Sequence, residues 1–151
     1  MESYTIDAIL AHQKVALKHC NNMVRCLACI ARSDYMMLLV IVVDKLVDSC
    51  EQVVTKVVNC FSTKGSSEAQ TACGKAPKMQ FGQYEIDTLT EQEYVSRVLA
   101  ALQLKNVLDV LARMLTIAAS ASRASHLSAL RATEQRIRGS AERLRQLEAQ
   151  A

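Results

Sequence analysis

The sequence predicts an all-α fold, and three observations carry that expectation. Turn-forming residues are scarce, with one Pro and four Gly in 151 residues, which leaves little room for the many short strands of a sandwich or barrel. Half of the residues are hydrophobic, and over long stretches they recur at three- and four-residue intervals. A chain of this length buries roughly 68–70% of its unfolded surface as one domain, so it needs no disulfide or metal to fold. The expected architecture is a single helical domain, 1–151, built as a bundle of about four main helices with a long loop, mobile at about 62–80, between the second and third.

The stretch Ser33–Val58 organises the rest. Every residue from Met36 to Val43 is apolar, and Leu46, Val47, Cys50, Val53, Val54, Val57 and Val58 then continue at helical spacing. This pattern predicts one helix, buried all round in its first half and on one face in its second. A buried strand at Leu38–Val43 competes through its β-branched residues. The absence of Gly and Pro from Ser33 to Val58, with Ser33 and Asp34 as N-cap candidates, favours the helix. Asp44 and Lys45 end the apolar run well short of the roughly 20 residues a bilayer needs, so no membrane partner is expected.

Ahead of this stretch, Ile6, Ile9, Leu10, Val15, Ala16 and Leu17 form an amphipathic stripe behind Thr5 as N-cap. A kink is expected at Asn21-Asn22, after which Met23, Val24, Cys26, Leu27 and Ile30 carry the helix to Ala31 or Arg32. The short turn that follows predicts an antiparallel helical hairpin.

Phe61 to Thr88 holds the only Pro and three of the four Gly. We expect mobility near Ser62–Ala76 and then an ordered lead-in at Gln80–Asp87, anchored on the core by Phe81, Tyr84 and Ile86, with Gly82 allowing a tight backbone. Thr90 and Glu93 read as a capping box. The helix behind it places Val95, Val98, Leu99, Leu102, Val107, Leu108, Leu111, Leu115 and Ala118 on its apolar face, and it ends near Ala119–Ser122. A last helix carries Leu127, Leu130, Ile137, Ala141, Leu144 and Leu147 in a narrow, roughly heptad seam, which predicts packing at the bundle edge or a homodimer through this C-terminal helix.

The net charge of +3 is local: six Arg against three Glu lie between Arg123 and Glu148, and the remainder balances. Without aromatic residues, and with Glu interrupting the stripe, this segment reads as a solvated helix face rather than a nucleic-acid surface. The six cysteines, Cys20, Cys26, Cys29, Cys50, Cys60 and Cys73, suit a reducing, intracellular compartment. Only Cys26-Leu-Ala-Cys29 has ligand-like spacing, and no second pair closes a zinc site, so neither metal nor other cofactor is expected.

No phosphate loop, HExxH, GxSxG or paired-carboxylate motif is present. The groups left for catalysis are His12 and His19, two turns apart on one helix face, with Tyr35 and Asp44. His12 and His19 are too far apart to chelate one metal, and a general-base role needs a partner. A small-molecule site between helices would draw on the adaptable thioethers of Met36, Met37 and Met114.

Two stretches carry a family resemblance. Ile6 to Val54, IDAILAHQKVALKHCNNMVRCLACIARSDYMMLLVIVVDKLVDSCEQVV, resembles the C-terminal regulatory region of fungal Zn2Cys6 transcription factors of the aflatoxin-regulator type, in which a helix leads to a cysteine pair, a polar turn and a strongly apolar helix. Phe81-Gly82-Gln83-Tyr84-Glu85-Ile86-Asp87, with the helix to Leu111, is similar to the Gly-x-Tyr-x-Leu-Asp lead-in of that family. The cysteine spacing here does not reproduce the family's DNA-binding zinc cluster. The resemblance therefore implies a regulatory or ligand-binding domain of fungal secondary metabolism, acting through a small-molecule metabolite or protein contacts without binding nucleic acid itself. It would be nuclear as part of a transcription factor. The alternative is a stand-alone cytoplasmic relative, repurposed as a cyclase-like or isomerase-like enzyme on a polyketide-like intermediate.

Overall fold

The computed structural model describes residues 4–62 and 79–150. In chain order the elements are α1 (Ile6–Arg25), α2 (Leu27–Ala31), α3 (Ser33–Ser62), β1 (Met79–Phe81), β2 (Tyr84–Ile86), α4 (Leu89–Ser120) and α5 (Ala124–Ala149). The fold is an all-α bundle, with four long helices, one short helix and one small hairpin among the described residues. The expected mobility at about 62–80 falls almost wholly outside the described residues.

In α1, Ile9, Leu10, Gln13, Leu17, Cys20 and Val24 turn inward at helical spacing, and Val15 lies off that stripe, 57% exposed. The break comes at Cys26 rather than at Asn21-Asn22, which stay helical because Asn costs a helix interior only a few tenths of a kcal/mol or so. Cys26 has extended backbone and serves both as C-cap of α1 and N-cap of α2.

The start of α4 differs by two residues from the sequence expectation. Two Thr-x-x-Glu motifs overlap here, and it is Thr88, not Thr90, that caps. Its hydroxyl accepts from the Glu91 N–H at 3.2 Å, and the Glu91 carboxylate accepts from the Thr88 N–H at 3.3 Å. The preceding hairpin pairs Met79 with Ile86 and Phe81 with Tyr84, and Gly82 takes a positive φ of 62° at the first position of its two-residue turn. The tight backbone is as expected, but the anchoring is not. Phe81 and Tyr84, next to the turn, stand in solvent, and only the pair at the open end of the hairpin, Met79 and Ile86, is half-buried. The Tyr84 hydroxyl instead donates to the Glu91 carboxylate, fastening the hairpin to the cap.

The chain leaves α4 through a Schellman turn: Ser122, at φ 54°, donates from its N–H to the Ala119 carbonyl at 3.1 Å, and the Arg123 N–H donates to the Ala118 carbonyl at 3.0 Å. The Arg123 guanidinium then donates to the Ile30 and Ala31 carbonyls at 3.3 and 3.1 Å. This fastens the α4–α5 turn to the end of α2.

That contact sets the helix directions. α1 and α4 run toward this end, and α3 and α5 run away from it. Around the bundle the order is α1, α3, α5, α4, so α1–α3 and α4–α5 are antiparallel neighbours, while α3–α5 and α1–α4 are parallel ones. α3 and α4 meet across the middle and supply the fully buried Val43, Val47, Val54, Val57, Val107, Val110, Leu111 and Met114. The α5 seam lies against both, with His126, Leu130, Thr133, Ile137, Ser140, Leu144 and Leu147 buried at alternating steps of four and three. Its apolar residues are thus occupied within the chain, and a homodimer through Leu130, Ile137 and Leu144 on the folded surface has nothing left to use.

Candidate functional site

The first half of α3 is not buried all round. Met36, Leu39 and Val43 point into the core at 1%, 2% and 0% exposure, but the bundle covers only one face, because α1 and α5 flank α3 without closing over its outside. Tyr35, Met37, Leu38, Ile41 and Val42 are left 38–56% exposed, a continuous apolar strip two rows wide. Leu27, at the neighbouring α2, is 80% exposed. Charged residues bound the strip. At its start the Arg32 guanidinium donates to both Asp34 carboxylate oxygens at 3.1 and 2.7 Å and lies over the Tyr35 ring at 4.4 Å. At its far end Lys45 pairs with Asp48 at 3.0 Å. An apolar centre with a polar rim is the arrangement of a protein interface.

The same α3 carries a second cluster on its α5 side. Arg136 donates to Asp44 at 2.9 Å, to Asp48 at 2.5 Å and to Glu51 at 3.1 and 2.7 Å. Thr133 adds a long hydrogen bond to Asp44, 3.4 Å. One guanidinium thus gathers three carboxylates spaced along one helix face, which holds α3 and α5 in parallel register. The Arg136 hydrogen bond, ahead of that from Lys45, holds the Asp48 carboxyl below the usual range. Arg136 itself is pushed up by Glu51 and Asp48.

The residues singled out for chemistry are not gathered in one cleft. His12 and His19 lie exposed on α1. Asp44 faces α5, at the opposite corner of the bundle from α1, and takes part in the Arg136 cluster. Tyr35 sits on the outer strip. Of the three methionines, Met37 is exposed, Met114 is fully buried in the core, and Met36 lines a crevice with Met23, Cys29, Ile30, Tyr35 and Leu39. That crevice leaves essentially no water-sized space, against the roughly 300 Å³ at which small-molecule sites begin. Among the described residues no three His, Cys, Asp or Glu are placed to hold a metal ion, and no helix is long and apolar enough to cross a membrane.

Sequence reading missed Arg136 as the partner of Asp44, although Asp44, Asp48 and Glu51 at steps of four and three already mark a face that needs a cation. It also missed the outward direction of Leu38, Ile41 and Val42. A second outward group is Tyr94, Val98, Leu99 and Leu102, 40–60% exposed, of which Val98, Leu99 and Leu102 were expected on the apolar face, whereas the buried residues of the first half of α4 are Glu93, Ser96, Ala100, Gln103 and Leu104. Compared with protein-family models, with curated proteins and with solved structures, the chain finds no match.

Proposed function

We propose that this chain is a regulatory interaction domain that works by docking a helix of a partner protein along the outer face of α3. The observation that carries the reading is the exposed strip of Tyr35, Met37, Leu38, Ile41 and Val42 between two charged ends. Its positions repeat at helical intervals in two rows, which is the surface a second amphipathic helix packs into. An exposed apolar strip of this kind marks a contact site. The small volume of the Met36 crevice favours protein contact over metabolite binding. The resemblance to the regulatory region of fungal Zn2Cys6 transcription factors supports the same reading, and in that setting the domain acts in the nucleus, with DNA recognition supplied by a separate zinc cluster.

A photo-crosslinking residue at Ile41, compared with one at Lys105 on α4, tests this in cells that make the protein. The expected result is one discrete heterologous adduct from position 41, absent at 105, and lost on Leu38→Asp while thermal unfolding changes little. An adduct of twice the chain mass would make the occupant a second copy. No adduct at position 41, or equal labelling at both positions, would overturn the reading.

A further inference from the structure

The break between α1 and α2 brings two thiols together. Cys26 is the N-cap of α2 and Cys29 its N3 residue, the same two positions that place Thr88 and Glu91 side by side at the start of α4. The Cys26 side chain forms no cap hydrogen bond with α2, and its first influence is Cys29, which draws the Cys26 thiol down while being raised itself. Both cysteines are half-buried and reachable, whereas Cys20 and Cys50 are closed in the core at 1% and 2% exposure. No third ligand stands near enough to make a metal site among the described residues, and a zinc ion needs four. What remains for such a pair is exchange with disulfides.

We propose that Cys26 and Cys29 form a thiol–disulfide exchange site whose substrate is a low-molecular-weight disulfide, with Cys26 as the attacking sulfur and Cys29 as the resolving one. The Cys26 thiolate attacks one sulfur of R–S–S–R, forming a Cys26–S–S–R bond and expelling RS⁻, which takes up the proton that Cys26 released. Cys29 then loses its proton and attacks the Cys26 sulfur, closing the Cys26–Cys29 disulfide and releasing the second RSH. Two protein thiols are oxidised and one disulfide is reduced to two thiols. The division of roles follows the electrostatics: hydrogen bonding from Cys29, its thiol first and then its backbone, draws the Cys26 thiol down, and the same contact raises Cys29. Burial pushes Cys50 up to about 12, so it stands as the unreactive control. The site needs no occupant on α3, and it stands whether or not the docking reading holds.

The test is a redox titration of the whole chain with glutathione disulfide, followed by tryptic digestion. Cleavage after Arg25 and Arg32 releases both thiols on one peptide, Cys26 to Arg32. We expect that peptide to lose the mass of two hydrogens before Cys20, Cys50 or Cys60 changes. Cys29→Ser should arrest Cys26 as a glutathione adduct and slow its alkylation by iodoacetamide several-fold. A wild-type peptide that stays reduced while other cysteines are modified overturns the site. So does an alkylation rate at Cys26 no greater than at Cys60, or one unaffected by Cys29→Ser.

Discussion

Ser122 occupies the left-handed position where helices most often end on glycine. Ser122→Gly should therefore raise stability by about 0.5–1 kcal/mol, read as a higher midpoint in urea at unchanged slope. The α4 cap allows a sharper test, because two Thr-x-x-Glu motifs overlap and one is used. Thr88→Ala should cost about 1 kcal/mol, and Thr90→Ala should stay within about 0.5 kcal/mol of wild type. Equal losses would place the helix start at Thr90 after all. Local sequence contains the capping chemistry but not the choice between registers, which is made by Tyr84 reaching the Glu91 carboxylate from the hairpin.

α3 and α5 run parallel, and a parallel helix pair needs something to hold its register along the whole length. The Arg136 cluster does this at Asp44, Asp48 and Glu51, half-way along both helices. Removing it with Arg136→Ala leaves three neighbouring carboxylates without their cation and should cost about 1–2 kcal/mol at neutral pH, the guanidinium being 36% exposed and its pairs partly screened by solvent. The pH dependence has a definite sign. A carboxyl held low in the folded state stabilises the fold at pH values above its unfolded value of about 3.9. That stability is lost as pH falls through the folded value. Wild type should thus lose stability below about pH 4, and the gap to Arg136→Ala should narrow there, as urea melts across pH would read. A constant gap down to pH 2 would show that the loss comes from packing instead. Helix existence was legible because apolar residues recur at three and four along α1, α3, α4 and α5. The faces were less so. Periodicity reports an apolar row but not whether a neighbour covers it, and in α3 from Met36 to Val43 every face is apolar. In the first half of α4 the covered residues are largely polar, Glu93, Ser96 and Gln103 beside Ala100 and Leu104, which a hydrophobic count does not find.

At the scale of the whole molecule, four helices and a long connection were readable from the turn residues clustered between Phe61 and Thr88, but the pairing order was not. Each short turn announces a hairpin, α1 with α3 and α4 with α5. Nothing in the pattern says that the second hairpin enters with α5 beside α3 and α4 beside α1. Packing decides that, through Arg123 on the α2 carbonyls and Arg136 on α3. Of the residues singled out for catalysis or a ligand, Tyr35 and Met37 lie on the outer α3 strip and Asp44 in the Arg136 cluster, while His12 and His19 lie on α1 and Met114 in the core; the strip as a surface was not legible, because periodicity does not say which apolar row a neighbour covers. The diagonal crossing from α3 to α4 has one more consequence. The chain is two local hairpins whose seams are buried only against each other, joined by a single covalent tether, and nothing but proximity requires that both come from one molecule. Exchange of the α4–α5 half between two copies would recreate every seam contact. Refolding at high concentration should therefore yield a dimer of unchanged helical content that reverts slowly on dilution, visible by sedimentation. A chain that returns as monomer at every concentration would show the tether to be too short for the exchange.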